Sequence, residues 1–134
     1  MPLVRIDLYE GKPINYVRAI GDAVQRAMIE CLNAPVRDHF QIINEHDTEH
    51  LIYSPNYLEV ERTDGIVMIQ VTLGVGRTTE QKQAFYTRVA ELVRENPGLR
   101  PQDVFISLVE DTREDWSFGN GEAQYVVLPR EQWK

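Results

Sequence analysis

Three residues of this chain, Pro2, Asp38 and Arg77, have the chemistry to act together on a small carboxylic acid. Trimming of an initiator methionine before a small residue leaves Pro2 with a free secondary amine, an uncommon functional group. Ordinary terminal amines titrate near 8, and an apolar site disfavours the ammonium form, moving the pKa toward the range of a general base. A fall of about one to two units costs the ammonium about 1.4 to 2.7 kcal/mol relative to the neutral amine. The ring also fixes the direction of the lone pair. The plainer alternative is a proline that merely follows methionine. Asp38 could hold the ammonium or orient a substrate, or be an ordinary loop carboxylate after Pro35. Arg77 stands between Gly74-Val75-Gly76 and Thr78, where its guanidinium and the free N–H groups of a helix start could bind a carboxylate together.

The elements that must position these residues follow from periodicity. Val4, Ile6 and Leu8 alternate with Leu3, Arg5 and Asp7, the period of a strand, so Pro2 would sit on a fixed support. After Gly11 and Pro13, apolar residues at 17, 20, 24, 27, 28 and 31 mark one helix face. Asn33-Ala34-Pro35 ends that helix, and residues 39–45 read as a second strand. The pattern recurs: residues 66–73 form an apolar strand, Thr78-x-x-Gln81 resembles a capping box, and Phe85, Val89, Leu92 and Val93 mark a second helix face. Asn96-Pro97-Gly98 stops that helix, and Pro101 and Asp103 lead into a strand over 104–109, much as Pro35 and Asp38 lead into the earlier one. The same number of positions separates Leu3 from His39 and Val67 from Asp103. The expected fold is therefore α+β: two β-α-β units, 2–46 and 65–110, making one domain with a four-stranded mixed sheet and two helices on one face. Residues 111–134 are expected to add a loop and a strand near 124–128.

Parallel pairing within a β-α-β unit brings the starts of its strands to one sheet edge, placing Asp38 near Pro2. Arg77 follows the end of its strand, about 25 Å away at roughly 3.3 Å per residue, so it reaches Pro2 only if the two units run antiparallel. The apolar residues at 66–69, 71 and 73 cannot all face one way, so the face opposite the helices needs a cover, most simply another subunit.

Composition narrows the partners. The chain of 134 residues carries 14 basic and 21 acidic residues, a formal charge of −7, which argues against nucleic acid. No apolar run approaches the roughly 20 residues that span a membrane, and the start lacks the pattern of a signal peptide. The single cysteine, Cys31, reads as a small residue of the helix face in a reducing, cytoplasmic setting. His46 and His50 have i, i+4 spacing, but no third ligand cluster accompanies them, so no metal and no cofactor are expected. The glycines at 74 and 76 lack the third glycine of a dinucleotide site. Arg37 is either a second anion contact or a surface charge.

The segment 115–121, Asp-Trp-Ser-Phe-Gly-Asn-Gly, places two large aromatics ahead of two glycines, either as a wall over a pocket or as a plug in the chain's own core. With the Pro2-Leu3 start, Pro35-x-x-Asp38 and Glu80-Gln81-Lys82, it closely resembles the tautomerase superfamily, and within it the malonate semialdehyde decarboxylases and their relatives, over nearly the whole chain. The resemblance implies that Pro2 is the catalytic acid or base, Asp38 its partner, and Trp116, Phe118 and Tyr125 aromatic substrate-binding residues. It also implies a homotrimer. The resemblance further implies two arginines separated by one residue before the second helix, to bind the carboxylate and polarise the aldehyde; Arg77 matches the second, and Val75 stands at the first. The implied function is keto-enol tautomerisation of a small 2-oxo acid, with decarboxylation of a 3-oxo acid as the alternative and a non-enzymatic binding module of the same fold as a third.

Overall fold

The computed structural model describes residues 2–134; Met1, on whose removal the proline chemistry depends, lies outside the described residues. Its sheet is built from β1 (Leu3–Tyr9), β2 (Gln41–His46), β3 (Val67–Gly74) and β4 (Val104–Asp111). Their order is β2-β1-β3-β4. β1 runs parallel to β2, β3 runs parallel to β4, and the two halves meet antiparallel at β1 and β3. This is the four-stranded mixed sheet expected from the sequence. The crossovers are α1 (Ile14–Leu32) and α2 (Thr79–Glu95), which contact one another.

Alternation decides what the strands bury. Val4, Ile6 and Leu8 of β1 and Val67, Ile69, Val71 and Leu73 of β3 join Val17, Ile20, Val24 and Met28 of α1 and Phe85, Val89, Leu92 and Val93 of α2 in one buried cluster. At about 1.5–3 kcal/mol per large buried apolar side chain, this layer supplies most of the drive to fold. The opposite sheet face is mixed. It carries Arg5, Gln70 and Ser107 along one register line, with Ile42, Phe105 and Val109 between 40% and 45% exposed. The apolar run of β3 is thus resolved by its two-residue period: Met68, Gln70 and Thr72 alone face away from the helices. Leu51 and Ile66, both within the segment that links the units, are buried outside the main cluster.

Helix ends set the loops that matter. Asn33 closes α1 in the left-handed conformation, φ 56°, and its backbone N–H donates to Met28 O, a role that asparagine fills with little steric penalty. Thr78 and Gln81 form the expected reciprocal cap of α2: Thr78 Oγ1 accepts from Gln81 N at 3.1 Å, and Gln81 Oε1 accepts from Thr78 N at 2.9 Å. Gly21 allows close approach of α1 to β2. A side chain there would collide with Gln41 Oε1, and Gln41 Nε2 donates to Gly21 O at 2.8 Å. Among the described residues, no helix is long and apolar enough to cross a membrane.

The expected strand near 124–128 is corrected. Gln124–Val127 forms the short helix α3, and β4 ends the sheet at its outer edge. Gln124 explains the difference, because its side chain is engaged in closing the preceding loop and does not project from a ladder. Its Oε1 accepts from Phe118 N at 2.7 Å, and its Nε2 donates to Gly119 O at 2.8 Å.

Candidate active site

The antiparallel meeting of the two units satisfies the condition on which Arg77 depended. Leu3 pairs with Thr72 while Val4 pairs with Gln41 and donates its N–H to Phe40 O at 3.1 Å. Pro2, which is buried, directly precedes the first of these pairs, and Asp38 lies two residues before Phe40. Arg77 comes three residues after the end of β3. One end of the sheet therefore holds all three.

Asp38 is nearly buried, with 9% of its surface exposed. Its backbone carbonyl accepts from Gln25 Nε2 of α1 at 3.2 Å, and its N–H donates to Pro35 O, so the helix and the Pro35 turn together set its position. Its Oδ2 accepts from the Tyr125 hydroxyl at 3.3 Å. Arg77 is anchored as firmly. Nε donates to Leu32 O at the end of α1 at 3.1 Å, and Nη1 donates to Gly74 O at 3.0 Å. Burial pushes its pKa down, opposed by Tyr125 and Glu110, yet a guanidinium stays charged at neutral pH. The Tyr125 phenol is pushed up by burial, with Arg77 pulling the other way. Tyr125 thus bonds to the aspartate and lies within electrostatic reach of the arginine.

The aromatic segment forms a wall. Trp116 donates Nε1–H to Asp111 Oδ1 at 2.9 Å and stacks on Phe118 with ring centroids 5.5 Å apart and planes within 11°. Phe118 meets Phe40 at 5.7 Å and Tyr125 edge-on at 5.0 Å, and Tyr125 meets Trp133 edge-on at 4.9 Å. Positive φ at Gly119, Asn120 and Gly121 turns the chain back so that Gln124 reaches Phe118. Beside this wall lies a cavity of about 330 Å³, lined by Arg37, Asp38, Phe40, Phe118, Gln124, Tyr125, Leu128, Gln132, Trp133 and Lys134. Of the six residues singled out from the sequence, Asp38, Phe118 and Tyr125 line it. Pro2, Arg77 and Trp116 do not; Trp116 connects to it through its stacking on Phe118.

Comparison with known proteins identifies the family. Residues 38–119 match a family model described as a tautomerase enzyme, and residues 2–61 match a second with the same description. The chain belongs to the tautomerase family. It is 42% identical to the probable tautomerase YusQ of Bacillus subtilis (strain 168), covering 94% of this chain and 99% of that protein. It is 36% identical to the probable tautomerase YrdN of the same organism, over 95% and 98% of the two chains. The crystal structure of FG41 malonate semialdehyde decarboxylase inhibited by 3-bromopropiolate superposes with a TM-score of 0.87 at 41% identity, covering 92% of this chain and 94% of that one.

Several residues of this tautomerase fold's cavity were not legible in the sequence. Phe40 reads as a strand residue, yet at 49% exposure it faces Phe118. Gln124, Leu128, Gln132, Trp133 and Lys134 come from a tail with no periodic signal, and only its folding back reveals them. Arg37 lines the cavity, which favours the anion-contact reading of that residue. Val75 is 60% exposed and opens onto a neighbouring cavity with Arg113, Arg130 and the far side of Trp133. His46 and His50 bond separately, to Asp7 Oδ1 at 2.6 Å and to Asp47 Oδ1 at 2.5 Å. Cys31 is only partly buried at the margin of the core, and burial raises its pKa, the opposite of thiol activation.

Proposed function

We propose that this tautomerase-family chain interconverts the keto and enol forms of a small 2-oxo acid, using the free secondary amine of Pro2. The neutral amine removes the proton from the carbon beside the carbonyl. Arg77 holds the carboxylate, Asp38 sets the balance between amine and ammonium, and Trp116, Phe118 and Tyr125 exclude water. The observation that supports this reading is the antiparallel pairing of β1 with β3, which brings Arg77 to the sheet end where Pro2 precedes the chain's first strand. The setting we propose is cytoplasmic, in keeping with a single free cysteine.

A second reading, decarboxylation of a 3-oxo acid with protonated Pro2 polarising the carbonyl, is favoured by the 41% identity to a malonate semialdehyde decarboxylase. Val75 argues for the first. With two backbone carbonyls already taking donors from Arg77, that residue can capture a carboxylate but supplies little to a second group. We also propose a homotrimer. Exposed Ile42, Phe105 and Val109 need cover, and fused 4-OT structures of similar fold are trimers. Light scattering at micromolar concentration is expected to give three times the monomer mass, and a stable monomer would remove this part.

The function is tested by mass spectrometry paired with rates on a panel of 2-oxo and 3-oxo acids, with and without Met1. An acylated proline nitrogen is an amide without a basic lone pair, so protein retaining Met1 is expected to be inactive. Trimmed enzyme is expected to gain tautomerase activity as Pro2 loses its proton, and Asp38→Asn to lower that apparent pKa. Equal rates with and without Met1 would refute the mechanism, and no turnover of any acid on the panel by trimmed protein would favour the binding module. Carbon dioxide release from malonate semialdehyde, fastest with Pro2 protonated and without tautomerisation, would establish the second reading.

A further inference from the structure

Among the described residues, three with polar or charged side chains are buried: Gln25, Asp38 and Asp103. Asp38 belongs to the candidate site, and Asp103 is tied to Thr63 of the linker. Gln25 has no part in the reading above. It lies among the residues that α1 buries, with Val24 and Met28, and its Nε2 donates to the Asp38 carbonyl at 3.2 Å. Its Oε1, itself buried, meets no donor among the described residues. An acceptor left unpaired in a core costs free energy that an apolar side chain would not. Turning the amide over gives no relief, because it sets Oε1 against the Asp38 carbonyl oxygen. The second unit does without such a residue. At the spacing that separates Asp38 from Asp103, the position matching Gln25 is Ala90, although the Asp103 turn makes the same bond, from its N–H to Arg100 O at 3.0 Å.

Resting on the roles proposed above for Pro2 and Asp38, we infer that Gln25 is a positioning residue, which aims the Asp38 carboxylate at the Pro2 amine and so helps to set the protonation balance of that amine. Planar peptide groups leave a residue only φ and ψ to adjust. The peptide before the Asp38 Cα is fixed by its N–H, which donates to Pro35 O at 3.1 Å, and the peptide after it by Gln25. Fixing both also fixes the direction of the Cα–Cβ bond. The carboxylate itself is held more loosely, because the bond it accepts from the Tyr125 hydroxyl is long at 3.3 Å. Two residues on, Phe40 O accepts from Val4 N, so the peptide that Gln25 grips comes just before the point where this chain segment joins the strand that follows Pro2. Without Gln25 the ψ angle of Asp38 relaxes, the carboxylate draws back from the amine, and the ammonium form loses stabilisation. The other titratable or charged groups about Asp38 are Tyr125, Arg37 and Lys134 of the cavity lining, with Arg77 acting on Tyr125. All of these stay unchanged when Gln25 alone is replaced.

Gln25→Met keeps the length and bulk of the side chain and removes both polar atoms. With Met1-free enzyme and the enol form of phenylpyruvate as probe, it is expected to lower the apparent pKa of tautomerisation by at least half of the fall seen in Asp38→Asn. It is also expected to lower kcat about tenfold while KM changes less than about threefold. Tm is expected to move by less than about 3 °C, because the hydrogen bond lost is offset by the unpaired acceptor removed. In the Asp38→Asn background, Gln25→Met is expected to shift the pKa no further, as for two residues that act through one group. Gln25→Asn, whose amide falls one methylene short of the carbonyl, is expected to give the same shift and serves if Gln25→Met does not fold. A loss of Tm with the pH profile and kcat unmoved would make Gln25 a structural residue only and overturn the inference. An undiminished shift in the Asp38→Asn background would overturn it as well. Pro2→Ala distinguishes the levels: its inactivity beside an unaffected Gln25→Met overturns the inference alone, whereas a fully active Pro2→Ala overturns the reading on which it rests.

Discussion

Replacing Arg77 by alanine separates two jobs that the structure gives one guanidinium. As a strut, it joins the end of α1 to the end of β3 through Leu32 O at 3.1 Å and Gly74 O at 3.0 Å. A hydrogen bond from a charged donor contributes about 1.5–3 kcal/mol, and the lower end applies because this side chain is only half-buried and water can replace part of what is lost. Two such bonds give about 3 kcal/mol. For a domain of this length, that lowers Tm by about 10 °C. As the proposed carboxylate anchor, Arg77 has further N–H donors, and their loss at about 2–3 kcal/mol corresponds to a rise in KM of about 30–150-fold. Arg77→Lys keeps the charge but offers a point donor that cannot serve two carbonyls and a carboxylate together, so it is expected to recover part of KM and little of Tm. Calorimetry and steady-state kinetics on the same preparations read the two effects apart. A loss of about 10 °C with KM unchanged in Arg77→Ala would refute the anchoring role and leave Arg77 a strut.

Two other perturbations test the scaffold. Asp103, only 1% exposed, accepts from Thr63 N at 2.7 Å and Thr63 Oγ1 at 2.6 Å, tying the linker between the units to the start of β4. Asp103→Ala strands both donors and is expected to destabilise by about 2–4 kcal/mol in urea titration; a change below about 0.5 kcal/mol would show that the linker is not held there. Tyr53 donates to Asp64 Oδ1 at 2.7 Å, and that carboxylate pushes the phenol from 10.0 up to about 12. A folded-state pKa above the unfolded value means that this contribution is complete below pH 10 and is lost as pH rises toward 12. The tyrosinate difference spectrum between wild type and Tyr53→Phe should therefore titrate near 12, and a midpoint near 10 would contradict the bond.

Local pattern alone determined the units of this protein. Residue period distinguished strands from helices, the Thr78-Gln81 cap and Asn33 marked helix ends, and the proline-to-aspartate turns marked the entries to β2 and β4. These features depend on residues close in sequence, which is why they are legible there. Tertiary structure decided what the same local pattern does in each unit. Asp38 and Asp103 occupy matching turns, but Asp38 meets a tyrosine from 87 positions along the chain in a cavity, whereas Asp103 meets Thr63 in a buried tether. The antiparallel meeting of β1 and β3 likewise has no local signal, because it arises from burying two helix faces against one sheet layer. The segment 124–128 departs furthest from expectation. A strand there would need an edge to pair with, and Gln124 instead satisfies the backbone of the aromatic loop. That choice of partner, made across the fold, places Tyr125 against Asp38.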